Sequence, residues 1–180
     1  MGGLGGMMYI MDIEADDITW ITNTWMKAAY LGWQCNTNDQ NGYNTVFWRL
    51  YYQWIMNANG LLEVLDGTDV SALSGGDKAL YEQIRGEALV FRAFSHFQAV
   101  QTYADAYKAG GNNSQLGVPY RTVENKVDQE LARSTVEETY AKINADLAEA
   151  CSLLEGKNIT ALNHWSAKSV YAIRARVAMA

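Results

Sequence analysis

Residues 86–105 read GEALVFRAFSHFQAVQTYAD, and the way apolar side chains fall in and around this stretch decides the fold. Leu80, Ile84, Ala88, Phe91, Phe94, Phe97, Val100 and Tyr103 recur at steps of three and four, the period of an α-helix. They do not keep to one stripe but spread widely round the helix axis. A helix apolar on several sides has to be sandwiched between neighbours, because no surface helix can leave two greasy faces in water. The spacing predicts a helix from Asp77, an N-cap by residue type, to about Tyr107.

The flanks supply the neighbours. From Thr45, the residues Phe47, Leu50, Tyr51, Trp54, Ile55, Ala58, Leu61, Leu62 and Leu65 form one helical face, broken by Gly67 and by residues 71–76. Residues 108–126 read as a long connection with Gly110-Gly111-Asn112-Asn113 at its tip. Ser134-Thr135-Val136-Glu137 reads as a capping box, in which the Ser134 oxygen and the Glu137 carboxylate each satisfy an orphan backbone N–H. Val136, Tyr140, Ile143, Leu147, Cys151 and Leu154 then follow on one stripe, Gly156 ends it, and Asp146 and Glu149 are assigned to the wet face. A fourth helix is predicted from near Asn163, its small residues Ala167, Ala172, Ala175 and Ala178 permitting close approach. The fold class is therefore all-α: stacked helical hairpins like a tetratricopeptide solenoid, without a clean internal repeat. Residues 1–180 form one helical domain, irregular over 1–44 and hairpin-built over 45–180.

Composition narrows the function. The formal charge of −6 repels phosphate backbones, which argues against nucleic acid. A single proline, Pro119, leaves the helices uninterrupted, and six Trp and eleven Tyr supply many flat rings. Cys35 and Cys151 have neither metal-ligand spacing nor a disulfide framework, and Cys151 is expected as a free buried thiol. The first basic residue is Lys27, so the start is not a secretory signal. No apolar run approaches the ~20 residues that span a bilayer. The last helical run, from Trp165 to Ala180, has no stop signal, and both ends read as cut from something longer.

Catalysis is not expected. Nucleophilic chemistry needs a base beside the nucleophile, and the two histidines, His96 and His164, sit in helical segments without an attendant motif. The acidic run Asp12, Glu14, Asp16 and Asp17 departs from a calcium loop, with Asp17 where the turn glycine belongs and Asn23 where the bidentate glutamate belongs. No metal or cofactor is expected. What remains is aromatic and polar: Trp20, Trp25, Trp33, Asn36, Asn38, Tyr43 and Trp48, in or beside the irregular segment. Sugar rings stack C–H faces on aromatics and pair their hydroxyls with amides and carboxylates, so loop residues of this kind signal binding.

The opening stretch also carries a resemblance. GEALVFRAFSHFQAVQTYAD is similar to the signature helix of the SusD/RagB family, in which Glu-Ala, Arg-Ala and an aromatic run precede Tyr and Asp. Gly117-Val118-Pro119-Tyr120 resembles the family's strand-like stretch, residues 134–150 its next helix, and residues 167–177 the small-residue helix after that. Upstream, Trp48-Arg49-Leu50-Tyr51, Ile55 and Asn57-Ala58-Asn59 resemble an earlier family helix, and Asp16-Asp17 its acidic stop before a variable loop. The resemblance implies a non-catalytic lipoprotein on the bacterial outer-membrane surface. Such a protein binds oligosaccharide, or sometimes peptide, and acts with a TonB-dependent, SusC-like transporter. The family's lipidated cysteine and its C-terminal half are expected to lie outside this chain. The ligand site is placed at Trp33 and Asn36, with Asp16 and Trp25 as weaker members. The alternative is a helical-repeat scaffold that binds another protein and no small molecule.

Overall fold

A computed structural model describes residues 42–126 and 128–180, with side chains from Asn44 onward. The chain divides into two compact units, Met1–Leu50 and Tyr51–Ala180. Of the first, the described part is the opening of helix α1 (Gly42–Asp66). The second holds the rest of α1, a 3₁₀ turn (Val70–Ala72), α2 (Gly75–Tyr103), α3 (Val136–Leu154) and α4 (Ala167–Met179). Among the described residues every named element is helical. Over these residues the expected all-α class is what forms.

As the spread of its apolar positions requires, α2 is the central layer. Its buried residues include Ala88, Leu89, Val90, Ala93, Phe97, Ala99 and Val100, which point to more than one side of the axis. On one side α1 runs antiparallel to it: Tyr51 meets Thr102 at 3.2 Å, Asn59 meets Arg92, and Asp66 pairs with Arg85. On the other side α3 is antiparallel too, with Phe97 edge-on to Tyr140 and Gly86 against Leu154. A Cβ at Gly86 would stand 2.8 Å from Leu154 Cγ, so glycine is what lets these two helices close. The α1 stripe Tyr51, Ile55, Ala58, Leu62, Leu65 and the α3 stripe Val136, Tyr140, Ile143, Leu147, Cys151, Leu154 are buried as their spacing demands. Val170, Ile173 and Val177 bury the inner face of α4, which packs chiefly on α3. Cys151 is a free, buried thiol.

Helix boundaries move for identifiable reasons. The N-cap of α2 is Ser74, whose hydroxyl oxygen accepts from the Asp77 backbone N–H, so Asp77 is inside the first turn. The helix stops at Tyr103 instead of Tyr107, because Ala104 is already extended and Arg133 caps the freed Tyr103 carbonyl. The predicted capping box exists one residue later, as Thr135 with Glu138. Ser134 is held in an extended pairing, accepting from Gly117 N–H and donating to Val118 O, and cannot also cap. Helix α4 begins at Ala167 behind a reciprocal Ser166–Ser169 cap, which leaves Asn163, His164 and Trp165 in the preceding loop.

The long connection is pinned, not loose. The backbone polar groups of residues 117–121 find partners on α1, on α2 and in the residues just before α3. Tyr52 donates to Pro119 O at 2.8 Å and Asn59 to Arg121 O at 3.1 Å. Arg121 N–H donates to His96 Nε2 at 3.1 Å, and Arg133 to Gly117 O. Gly117 is wedged in this seam: an added Cβ would lie 2.6 Å from Thr139 Oγ1 and 2.9 Å from the Thr135 carbonyl oxygen. Backbone cannot yield as a side chain can. Gly117→Ala is expected to destabilise the protein by roughly 2–3 kcal/mol, read as a lower urea midpoint at unchanged slope.

Candidate functional site

Two polar constellations stand out among the described residues, one closed and one open. The closed one centres on Arg92, in the sandwiched helix. Its Nε and Nη2 reach both carboxylate oxygens of Asp146 on α3 at 2.7 Å each, and Nη1 reaches Asn59 Oδ1 on α1 at 3.1 Å. Tyr120 donates its hydroxyl to the same carboxylate at 2.7 Å. The planar guanidinium matches a carboxylate with two parallel bonds, geometry a lysine cannot reproduce. Burial opposes the arginine's charge, but the hydrogen bonds and charge of Asp146 outweigh it and raise the Arg92 pKa. Burial raises the Tyr120 pKa as well, and the neighbouring Asp146 charge adds to the effect.

His96 completes this junction. Its Nδ1 lies 3.0 Å from the Arg92 carbonyl oxygen, and its Nε2 accepts from Arg121 N–H. Those partners fix one tautomer, with the proton on Nδ1. The ring stacks on Tyr120 at 3.7 Å between centroids and 13° between planes. Burial drives its pKa down to about 3, aided by the positive charges of Arg92 and Lys142, while the Arg92 carbonyl acts the other way. A fully buried, neutral imidazole with both nitrogens engaged has no lone pair for a substrate proton. The cluster joins α1, α2, α3 and the 117–121 segment; its role is to hold them.

Two expectations are corrected here. Asp146 is buried, not on the wet face of α3, because it neutralises Arg92 in the interior. The signal was legible: Ile143, Asp146, Leu147 and Ala150 fall on one helical stripe, so an acid there has to be inside. Glu87 accepts from Gln83 and from His164. Glu149 pairs with Arg85 at the surface, as a wet-face residue should. His164 is no helix-packing residue but lies in the loop before α4, partly exposed.

The open constellation is a groove of about 290 Å³ between α1, α2 and that loop. Its floor carries the two short side chains Ala58 and Ala88, both buried. Its walls are Asn57 and Leu61 of α1, Ile84, Glu87 and Phe91 of α2, and Asn163 and Trp165 of the loop. Residues 84, 87, 88 and 91 recur at helical spacing and so share one face of α2. Sequence reasoning placed Trp165 at the start of a helix and attached no role to it; Ser166 as N-cap, with Ser169 three residues on, was the available sign that Trp165 precedes the helix. The sequence-predicted ligand residues Asp16, Trp25, Trp33 and Asn36 lie outside the described residues, as does Cys35.

Comparison with known proteins gives one consistent result. The family model of SusD-like proteins described as "starch-binding associating with outer membrane" matches residues 8–179. None of the curated proteins matches. Among solved structures, the chain is similar to a SusD-like carbohydrate binding protein from Bacteroides vulgatus ATCC 8482, at 22% identity and a TM-score of 0.77. That likeness covers 98% of this chain and 36% of the other. A SusD superfamily protein from Bacteroides thetaiotaomicron VPI-5482 follows, at 23% identity and TM-score 0.72, over 90% of this chain and 34% of that one. A laminarin binding SusD-like protein gives 20% and 0.64, over 87% and 31%. At such identities the likeness is one of fold, and the chain spans about a third of the length of each. With nearly its whole length matched by one family model, and the sandwiched helix, the pinned 117–121 segment and the two following helices in the order that resemblance led one to expect, the chain belongs to the SusD-like family.

Proposed function

We propose that this protein binds oligosaccharides without transforming them, at the outer surface of a bacterial outer membrane, and passes them to a TonB-dependent, SusC-like transporter. The family match over residues 8–179 carries this reading, since that family is described as starch-binding and associated with the outer membrane. The likeness in fold to a laminarin binding protein supports the ligand class. The chemistry among the described residues supports the absence of turnover: the buried histidine is saturated with hydrogen bonds, and the buried carboxylate of Asp146 is committed to Arg92. The primary ligand contacts are proposed at Trp33 and Asn36, an indole to stack under a sugar ring and an amide three residues on to meet a hydroxyl, with Asp16 and Trp25 beside them in sequence.

Calorimetric titration with maltoheptaose and laminarihexaose tests this. Trp33→Ala and Asn36→Ala are each expected to weaken binding, the first by roughly 1–3 kcal/mol, the range for losing an aromatic stacking platform, with the melting temperature preserved. Release of shorter oligosaccharides on prolonged incubation would overturn the non-catalytic reading. Co-purification with a TonB-dependent transporter tests the delivery step.

A further inference from the structure

We propose that the groove between α1, α2 and the loop before α4 is a second saccharide subsite, sized for about one neutral pyranose ring and separate in sequence from the Trp33 segment. The proposal rests on the carbohydrate-binding reading above. Its depth comes from Ala58 and Ala88, whose short side chains leave a hollow where larger residues would fill the α1–α2 seam. A volume of about 290 Å³ sits at the small end of ligand sites. Two aromatic residues line it. Trp165, half-buried, is steadied by Phe94 at 6.3 Å between ring centroids, and Phe91 by Trp54 at 5.7 Å. These are rings held in place on one flank that still border open space.

The polar groups select the occupant. Asn57 and Asn163 bring amides, each with donors and an acceptor. Glu87 brings a carboxylate already oriented by Gln83 Nε2 at 2.8 Å and His164 Nδ1 at 2.9 Å, with acceptor capacity left over. No Lys or Arg is among the described lining residues, so an anionic ligand would meet the Glu87 carboxylate with no lysine or arginine to pair with. A purely apolar occupant, such as the greasy face of a helix, would strip water from two amides and a carboxylate and return no hydrogen bonds. A sugar satisfies both halves, C–H faces on the rings and hydroxyls on the amides and the carboxylate.

The protein is titrated by calorimetry with maltoheptaose and laminarihexaose as wild type, Trp165→Ala, Asn163→Ala and Trp33→Ala. Trp165→Ala should weaken binding about ten-fold, within the range set by a lost stacking platform. Asn163→Ala, a change at an exposed loop amide, should weaken it about three-fold, at unchanged melting temperature. Affinity unchanged in both groove variants, while Trp33→Ala loses binding, overturns the subsite and leaves the carbohydrate reading standing. Wild type that binds neither oligosaccharide overturns both. Loss of affinity in Trp165→Ala that tracks a fall in melting temperature, with Asn163→Ala unaffected, makes Trp165 a packing residue and overturns the subsite.

Discussion

Arg92→Ala is expected to cost the fold about 3–5 kcal/mol, the range for breaking a buried ion pair by deleting one partner. Removing the guanidinium leaves the Asp146 carboxylate in the interior with the Tyr120 hydroxyl as its remaining named partner, and leaves Asn59 Oδ1 without its donor. Domains are stable by only about 5–15 kcal/mol, so this single change consumes much of that margin. Urea denaturation reads it directly. Two companions make the result diagnostic. Arg92→Lys keeps the charge but loses the two-pronged geometry and should fall between wild type and alanine. Arg92→Met combined with Asp146→Leu removes both charges and should recover part of the loss, since no ion is then stranded. An Arg92→Ala protein as stable as wild type would contradict the whole account of this junction.

Stability should also fall on mild acidification, and His96 sets where the fall begins. Folding depresses its pKa from the ordinary 6.5 to about 3. Between those values the unfolded chain binds a proton that the native ring refuses, so the unfolded state gains as pH drops. The contribution is complete above pH 6.5 and declines as pH falls towards 3, by at most about 1.4 kcal/mol per pH unit. Burial is the chief cause, and a second ring proton on Nε2 would also point at the Arg121 N–H, turning a hydrogen bond into a clash of two donors. Hydrogen bonds hold the Asp69, Glu82 and Glu138 carboxyls below their usual values, so these also cost stability in acid, but only from about the ordinary carboxylate range downward. The window from pH 6.5 to about 4.5 therefore belongs to His96. His96→Asn should be less stable at neutral pH and show a flatter slope across that window in urea melts. Equal slopes for the two proteins would mean that the imidazole is not held neutral.

Much of this molecule was legible before any coordinates. The period of residues 80–103 and its spread round the axis called for a helix between two others, and α2 lies between α1 and α3. The stripe of α3 predicted its buried face, and that of α1 did so for Tyr51, Ile55, Ala58, Leu62 and Leu65, while Leu61 of the same stripe is exposed and Leu50 and Trp54 are half-buried. An arginine in a helix covered on several sides needs an acceptor in the interior, and a neighbouring helix supplies it as the Asp146 carboxylate. Placing Asp146 in solvent was the error, and it came from reading an acid by its type and not by its position on the stripe.

What the sequence by itself determined is thus local: which segments are helical, which faces are apolar, and that α2 must be covered on several sides. These follow from interactions within a few turns, where 3.6 residues per turn leaves little freedom. The tertiary structure alone decided the partners of polar groups, because a hydrogen bond across the core joins residues far apart in sequence and carries no period. Arg92 finds Asp146 54 residues on, His96 takes the Arg121 N–H, and Tyr52 reaches Pro119. The same long-range pairing fixes the ends of helices: Ser134 is drawn into contact with residues 117 and 118, and α3 starts one residue late. It also decided the groove, whose lining brings together two buried alanines from different helices and a tryptophan from a third element. No pattern along a single strand of sequence records such a space, since a cavity is a property of neighbours and not of any one segment.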